Sequence, residues 1–168
     1  DISFAEAKNA DFLRARWVDK PKVVWENGVR KLIGKSRYTP LGFMSKHDLS
    51  TDMSAPTANP VSHRMVETIT LNRKWRRFSG DVSSAFFRSQ APLIRKTFLI
   101  LPEHLQNETK DLWIELRVAV PGMRDAPQGW YLTLREAIEE KFGAERSKVD
   151  PSVWWIRRER EGGKRCVV

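Results

Sequence analysis

Two consecutive residues, Asn27 and Gly28, limit the fold of this chain more than any other short feature. Asn-Gly between two strand-like runs is the strongest local signal for a β-hairpin, because both residues readily adopt the positive φ angles of a two-residue turn. The flanking runs are Lys22–Trp25 and Val29–Ile33. The sequence therefore predicts an antiparallel pair of strands joined at this turn.

Two helices are predicted from their end signals. Asn59 followed by Pro60 is typical of a helix start, and the apolar spacing continues to about Arg73. A second helix is expected to begin at Asp125-Ala126-Pro127 and to end at Gly143. Both carry apolar stripes that favour packing on one face: Val61, Met65 and Ile69 in the first, and Trp130, Leu134, Ile138 and Phe142 in the second.

The remaining segments mix strand and turn signals. A capping box over residues 3–6 predicts a short helix to about Trp17, and residues 44–60 form a polar, turn-rich loop. Strand spacing recurs in three places and in one further hairpin: residues 78–82, residues 98–101, residues 112–116 after a polar loop, and residues 153–156 paired with residues 166–168. This order is typical of an α+β domain. We expect one domain over residues 15–168, incomplete at its C-terminus, after an N-terminal extension or helix in residues 1–14.

Composition narrows the class of partner. The chain has 168 residues, 40% hydrophobic content and 30 Lys+Arg against 21 Asp+Glu, which gives a net charge of +9. Such an excess favours a polyanionic partner, although an ordinary basic surface is the plain alternative. Cys166 is the only cysteine and the three histidines lack ligand spacing, so the sequence predicts neither a disulfide nor a structural metal. An intracellular, reducing compartment is favoured, and no apolar run approaches the roughly 20 residues of a membrane span.

A basic run ends the first predicted helix. Its cations surround Trp75 without an acidic residue among them: Arg73, Lys74, Arg76 and Arg77. This run is a candidate nucleic-acid contact, and a solvated turn is the alternative.

Four segments, in chain order, resemble reverse transcriptases of copia-type retrotransposons. DVSSAFF, from Asp81, is similar to the family's first catalytic motif D-V-x-x-A-F, and PGMRDAPQGW, from Pro121, is similar to Y-G-L-K-Q-A-P-R-x-W. SKVDPSVW, from Ser147, is similar to S-x-x-D-P-x-x-[FY]. Upstream, residues 35–37 and 42–43 resemble the fingers motif K-A-R-L-V-x-x-G-F.

The resemblance implies a reverse-transcriptase-like palm, an antiparallel sheet flanked by helices, with a partial fingers region. The implied activity is RNA-directed DNA synthesis by two Mg²⁺ ions, with the Asp81 carboxylate and the Val82 carbonyl as ligands. Asp81 is then expected at the end of a central antiparallel strand, beside the hairpin of residues 152–168. Phe86 would exclude a 2′-hydroxyl, and the nucleotide would meet a group of fingers and second-motif residues: Lys35, Arg37, Gly122 and Arg124.

Each assignment has a plain alternative. Asp81 could cap a turn, Phe86 could be ordinary core, and Lys35 and Arg37 could be ordinary surface cations. Four departures from the family pattern favour a domain that has lost the reaction: Pro40 in the fingers motif, Pro121 and Asp125 in the second motif, and RSQAPLIRK, from Arg88, where the family usually carries an acidic run.

The 168 residues contain no Asp-Asp pair, although the family completes its metal site with a Y-x-D-D-type hairpin. One carboxylate does not hold two Mg²⁺ ions, so we expect no polymerase activity from this chain alone and Mg²⁺ only at a complete site. Two functions remain open. The chain is a fingers-and-palm portion of a retrotransposon polymerase, or it is a repurposed, catalytically inactive domain that binds nucleic acid or serves as a structural subunit of a larger ribonucleoprotein assembly. RNA or an RNA–DNA hybrid is the expected partner, with protein subunits in the second case.

Overall fold

A computed structural model describes residues 8–46, 53–109, 112–159 and 165–167. Nine strands and three helices make up these parts of the chain, together with two short 3₁₀ turns at residues 42–44 and 85–88. In order they are β1 (Asp11–Leu13), β2 (Ala15–Glu26), β3 (Val29–Pro40), α1 (Pro60–Asn72), β4 (Thr97–Ile100), α2 (Glu103–Thr109), β5 (Trp113–Leu116), α3 (Ala126–Glu136), β6 (Glu145–Arg146), β7 (Trp154–Trp155), β8 (Arg157–Glu159) and β9 (Arg165–Val167).

A three-stranded sheet of order β1-β4-β5 lies beside the core. β1 pairs with β4 in parallel, and β4 pairs with β5 antiparallel. The strands predicted at residues 98–101 and 112–116 correspond to β4 and β5, whereas β1 and its parallel pairing were not predicted. The segment between β4 and β5 contains α2, where the sequence predicted only a polar loop. The buried cluster against this sheet combines strand residues with the segment that leads into α3: Leu13, Leu99, Ala119, Val120, Met123 and Ala126.

The hairpin of β2 and β3 is confirmed and is much longer than predicted. Its register is continuous from Ala15 opposite Pro40 to Glu26 opposite Val29. Asn27 and Gly28 have φ angles of 53° and 77° at its tip. Twelve residues per strand give a ribbon about 40 Å long.

The predicted helix does not continue to Trp17, because only Lys8 and Asn9 of the described residues in this region are helical. Residues 11–13 and 15–17 are extended, while the capping-box residues 3–6 lie outside the described part of the chain. Trp17 lies opposite Tyr38, with ring centroids 5.1 Å apart. This cross-strand aromatic pair stabilises the strand and overrides a weak local helix signal.

Helix α1 begins and ends as the sequence predicts. The Asn59 side chain accepts a hydrogen bond from the backbone N–H of Val61 at 2.9 Å. At the other end the N–H groups of Lys74 and Trp75 donate to the carbonyls of Leu71 and Thr70, which is a Schellman motif. None of the residues of α1 is buried, so the predicted apolar stripe does not pack into a core within the described structure.

Helix α3 also starts at the predicted place, but its cap differs. The Asp125 side chain accepts no capping hydrogen bond, and only its backbone carbonyl bonds to the N–H of Gly129. A π-type turn over residues 137–141 follows α3, and Gly143 then adopts a φ of 63°. The predicted stripe is partly buried, but Phe142 at its end is exposed.

The C-terminal hairpin is formed by other residues than predicted. β8 (Arg157–Glu159) pairs with β9 (Arg165–Val167), whereas Trp154 and Trp155 pair with Glu145 and Arg146 of β6. The predicted first strand, residues 153–156, therefore belongs mostly to a different pair. The two adjacent tryptophans fit either partner by strand propensity, so the local pattern could not choose between them.

Candidate functional site

Two segments that the sequence singled out meet at the base of the β2–β3 hairpin. Gly42 is buried, and a Cβ atom at this position would overlap the carbonyl oxygen of Gly122 and lie 2.8 Å from the Cα of Met123. Gly122 has a φ of 108°, and a Cβ there would lie 2.5 Å from Thr39 Cγ2 and 2.7 Å from the Pro40 carbonyl oxygen. The structure thus brings the fingers-like motif and the second motif into backbone contact.

Phe86 and Tyr38 lie at the same place in the core. Both side chains are partly buried and pack against the cluster that contains Leu13, Leu99 and Met123. The Tyr38 hydroxyl donates to the Ile100 carbonyl at 3.0 Å, and burial raises the pKa of this phenol. Phe86 is therefore partly a core residue, as the alternative interpretation proposed. Its role in excluding the 2′-hydroxyl of a ribonucleotide stays a prediction.

The predicted strand at residues 78–82 does not form. Residues 75–82 have neither helix nor strand structure, and Asp81 is exposed. Phe78, whose alternation with Gly80 and Val82 suggested a strand, is 86% exposed. Strand spacing produces a strand only where a neighbouring strand supplies the ladder hydrogen bonds, and this segment pairs with none of the described strands. The placement of Asp81 at the end of a central strand was thus wrong.

The described residues do not fit a two-metal site. No group of three or more His, Cys, Asp or Glu side chains converges in the described part of the chain. Asp81 and the Val82 carbonyl would provide one carboxylate and one neutral oxygen, which is too few hard ligands for two Mg²⁺ ions.

The basic run after α1 is a turn with mostly exposed cations. Lys74 adopts a φ of 52°, the left-handed conformation of the Schellman motif. Arg77 donates to Glu67 at 2.7 Å, so among the described residues one of the four cations has a carboxylate partner. Arg73, Lys74 and Arg76 are exposed, and Trp75 is half-buried.

The other predicted cations lie on two different elements. Lys35 and Arg37 are exposed on β3, two residues apart and therefore on one face of the ribbon. Arg124 is exposed between buried Met123 and buried Asp125, in the segment that contacts the hairpin base. The Oδ1 atom of Asp125 is buried and has no hydrogen-bond partner within the described structure.

Asp150 holds the start of α1 by hydrogen bonds, a role that the sequence did not predict. Its carboxylate accepts from the backbone N–H groups of Asn59 at 2.8 Å and Ser152 at 2.9 Å. These bonds, with a further one from the Ser62 side chain, lower the pKa of Asp150. The Asp-Pro dipeptide was visible within the family-like S-x-x-D-P segment, but nothing in the sequence indicated that its partner was the cap of α1.

A shallow groove of about 330 Å³ lies between residues 90–92 and the outer side of α3. Carboxylates line one side of it, and the backbone N–H of Gln90 donates to Thr133 at 2.8 Å beside it. The groove contains none of the predicted site residues, and its charged lining consists of three glutamates and one arginine: Glu136, Glu139, Glu140 and Arg135.

Among the described residues, no helix has both the length and the apolar character that crossing a bilayer requires.

The chain is similar to a segment of two retrovirus-related Pol polyproteins of Arabidopsis thaliana, from transposons RE2 and RE1. The first is 25% identical over 122 residues, which are 71% of this chain and 8% of that polyprotein. The second is 24% identical over 145 residues, which are 85% of this chain and 10% of that polyprotein. The chain thus spans about a tenth of the length of these relatives, and it is distantly homologous to a region of retrotransposon Pol polyproteins. No family model and no solved structure matches it.

Proposed function

We propose that this chain is a reverse-transcriptase-like domain of a retrotransposon Pol polyprotein, comprising fingers and part of the palm, and that it binds nucleic acid. As this chain alone, it does not catalyse two-metal nucleotidyl transfer. Mg²⁺ would supply the Lewis acidity for that reaction at a complete site, and Asp81 with the Val82 carbonyl would be this chain's contribution to such a site.

One observation carries the proposal: the contact between the Gly42 and Gly122 segments. Two motifs about 80 residues apart in the sequence approach so closely that neither tolerates a side chain. If the motifs matched by chance, their two segments would not be expected to lie in contact. Contact is expected if both segments form one site at the base of the fingers. Phe86 packs against the same core, so three of the resembling positions converge there.

A second candidate function is supported by the setting of Asp81. The residue is exposed and lies outside regular structure. These features favour a repurposed domain that retains nucleic-acid binding as part of a ribonucleoprotein and no longer contributes to DNA synthesis.

Primer extension and binding, measured on the same preparation, test both candidates. With primer, template, deoxynucleotides and Mg²⁺, we expect no extension above background but clear binding of the primer–template. Extension that Asp81→Asn abolishes would contradict the proposed lack of activity, because it would mean that other carboxylates of this chain complete the site. Absence of binding at low salt would contradict both candidates.

The transcript downstream of Val168 separates the two candidates. An Asp-Asp pair in the same reading frame, followed by a ribonuclease H region, would favour the polymerase portion. A stop codon would favour the repurposed domain.

A further inference from the structure

The β2–β3 hairpin has two faces of different chemistry. Alternate residues of a strand point to opposite faces, and the unbroken register fixes which residues share a face. One face, which we name the cationic face, carries three cations from each strand: Arg16, Lys20, Lys22, Lys31, Lys35 and Arg37. The opposite face carries the aromatic rings of the hairpin and two charges of opposite sign: Trp17, Trp25 and Tyr38, with Asp19 and Arg30.

Within the hairpin, the charge of the cationic face is almost uncompensated. All six cations belong to exposed residues. The only acid on this face is Glu26, and it already pairs with Lys31 at 2.5 Å. Five cations therefore remain without a carboxylate on their own face of the ribbon.

Lys20 lies directly opposite Lys35 in the register. The Cβ atoms of directly opposite residues in an antiparallel pair are about 5 Å apart, and like charges at such positions destabilise the pair. The repulsion between Lys20 and Lys35 lowers the stability of the free hairpin, so the stability of the hairpin does not explain why both lysines are present. A bound polyanion would remove the repulsion, so charge complementarity identifies the class of partner.

The distribution of aromatic rings favours a duplex over a single strand. Surfaces that bind single strands combine cations with rings on which the bases stack. On this hairpin all the rings lie on the opposite face, and the cationic face offers only aliphatic side chains and Thr39 between its charges. Such a face contacts phosphates but not unstacked bases.

The width of the two-stranded ribbon fits the major groove of a DNA duplex. Two strands have backbones about 5 Å apart, and the major groove of B-form DNA, about 12 Å wide, admits a two-stranded ribbon. We propose that the cationic face of the β2–β3 hairpin binds the phosphate backbone of a nucleic-acid duplex, without sequence preference. This inference rests on the nucleic-acid binding in the proposed function. It adds which surface of the chain binds, and that the bound nucleic acid is double-stranded.

A salt titration of binding to a short blunt DNA duplex tests the surface. Each phosphate contact contributes about −0.9 to the slope of log binding constant against log salt, so five cations predict a slope of about −4.5. Lys20→Gln with Lys22→Gln should flatten this slope by about 1.8. The matched control, Lys141→Gln with Lys148→Gln, removes the same charge from exposed positions outside the hairpin and should leave the slope nearly unchanged.

Three results separate failure of this inference from failure of the proposed function. Duplex binding with equal slopes in both double variants would overturn the hairpin assignment but not nucleic-acid binding. Tighter binding to the matching single strand than to the duplex at equal salt would overturn the duplex assignment. Binding to neither probe would overturn both.

Lys20→Glu tests whether weaker binding comes from the changed charge and not from unfolding of the hairpin. The new carboxylate lies opposite Lys35, so the thermal midpoint should rise while duplex affinity falls. A variant that is both more stable and a weaker binder supports the inference, and a variant with wild-type affinity contradicts it.

Discussion

Gly42 and Gly122 lie in two segments whose backbones are in contact. A side chain on Gly42 would collide with the backbone of Gly122, and a side chain on Gly122 would collide with the backbone of Pro40. The approach is a property of both glycines, but only Gly122 also needs a positive φ angle. The base of the hairpin is therefore fixed to the segment before α3 by backbone contact. This contact leads to the first prediction.

Gly122→Ala should destabilise the domain by about 2–5 kcal/mol, because the added methyl group meets a backbone carbonyl and the φ of 108° is strained for alanine. Chemical denaturation measures the change. Gly80→Ala is the matched control, since a Cβ at Gly80 has nothing within 4 Å. Equal unfolding midpoints for the two variants would contradict the close contact.

Asp150→Asn should lower the thermal midpoint at neutral pH and weaken the response to acid. The native pKa of Asp150 lies below its unfolded value, so its stabilising effect is complete above about pH 4 and is lost as pH falls through the native pKa. Thermal unfolding between about pH 6 and pH 3 measures both effects. Asp19→Asn, at an exposed carboxylate of the hairpin, should leave the neutral-pH midpoint nearly unchanged. An unaltered acid response in Asp150→Asn would show that this carboxylate does not anchor α1.

Lys74→Gly should stabilise the domain by about 0.5–1 kcal/mol, because glycine adopts the left-handed C′ conformation without the steric cost of a Cβ. Lys74→Ala removes the same charge but keeps the Cβ, and it should give no comparable gain. Urea unfolding midpoints of the two variants make the comparison. If both variants gain equally, the φ angle of 52° is not the source of the effect.

Arg76→Ala should weaken binding of single-stranded RNA more than Arg77→Ala does, because Arg77 already donates to Glu67. Each lost single-strand contact flattens the salt slope by about 0.7. Glu67→Gln frees Arg77 and should steepen the slope by a similar amount. Anisotropy titrations at several salt concentrations measure all three variants, and identical slopes would argue against the basic run as a phosphate contact.

Local signals in the sequence were sufficient where a few adjacent residues determine the geometry. Three signals each act within one turn of chain, and the structure confirms all of them: Asn27-Gly28, the Asn59-Pro60 start of α1, and Gly143 after the π-type turn that continues α3. The strand over residues 78–82 and the partner of Trp154 and Trp155 depend instead on which distant backbone lies alongside. Periodicity does not contain that information.

The candidate site was predictable to a similar extent. Motif similarity singled out Gly42, Gly122 and Phe86, which the structure gathers around one core, but it did not predict the exposed position of Asp81. The cationic face was implicit in the alternation of lysines along the hairpin. It became visible only with the register, because the length of each strand decides which charges share a face.

The parallel pairing of β1 with β4 has a kinetic consequence. Asp11 pairs with Thr97, 86 residues later, so the sheet that carries the core closes a long loop, whereas the β2–β3 hairpin needs only its own turn. A hairpin forms in about 1–10 μs, and long-range pairing is much slower. During synthesis the ribbon can therefore form before Ile100, the acceptor for Tyr38, has left the ribosome. For that interval its lysines are available to any nearby duplex, and the emerging domain can meet nucleic acid before its core has formed.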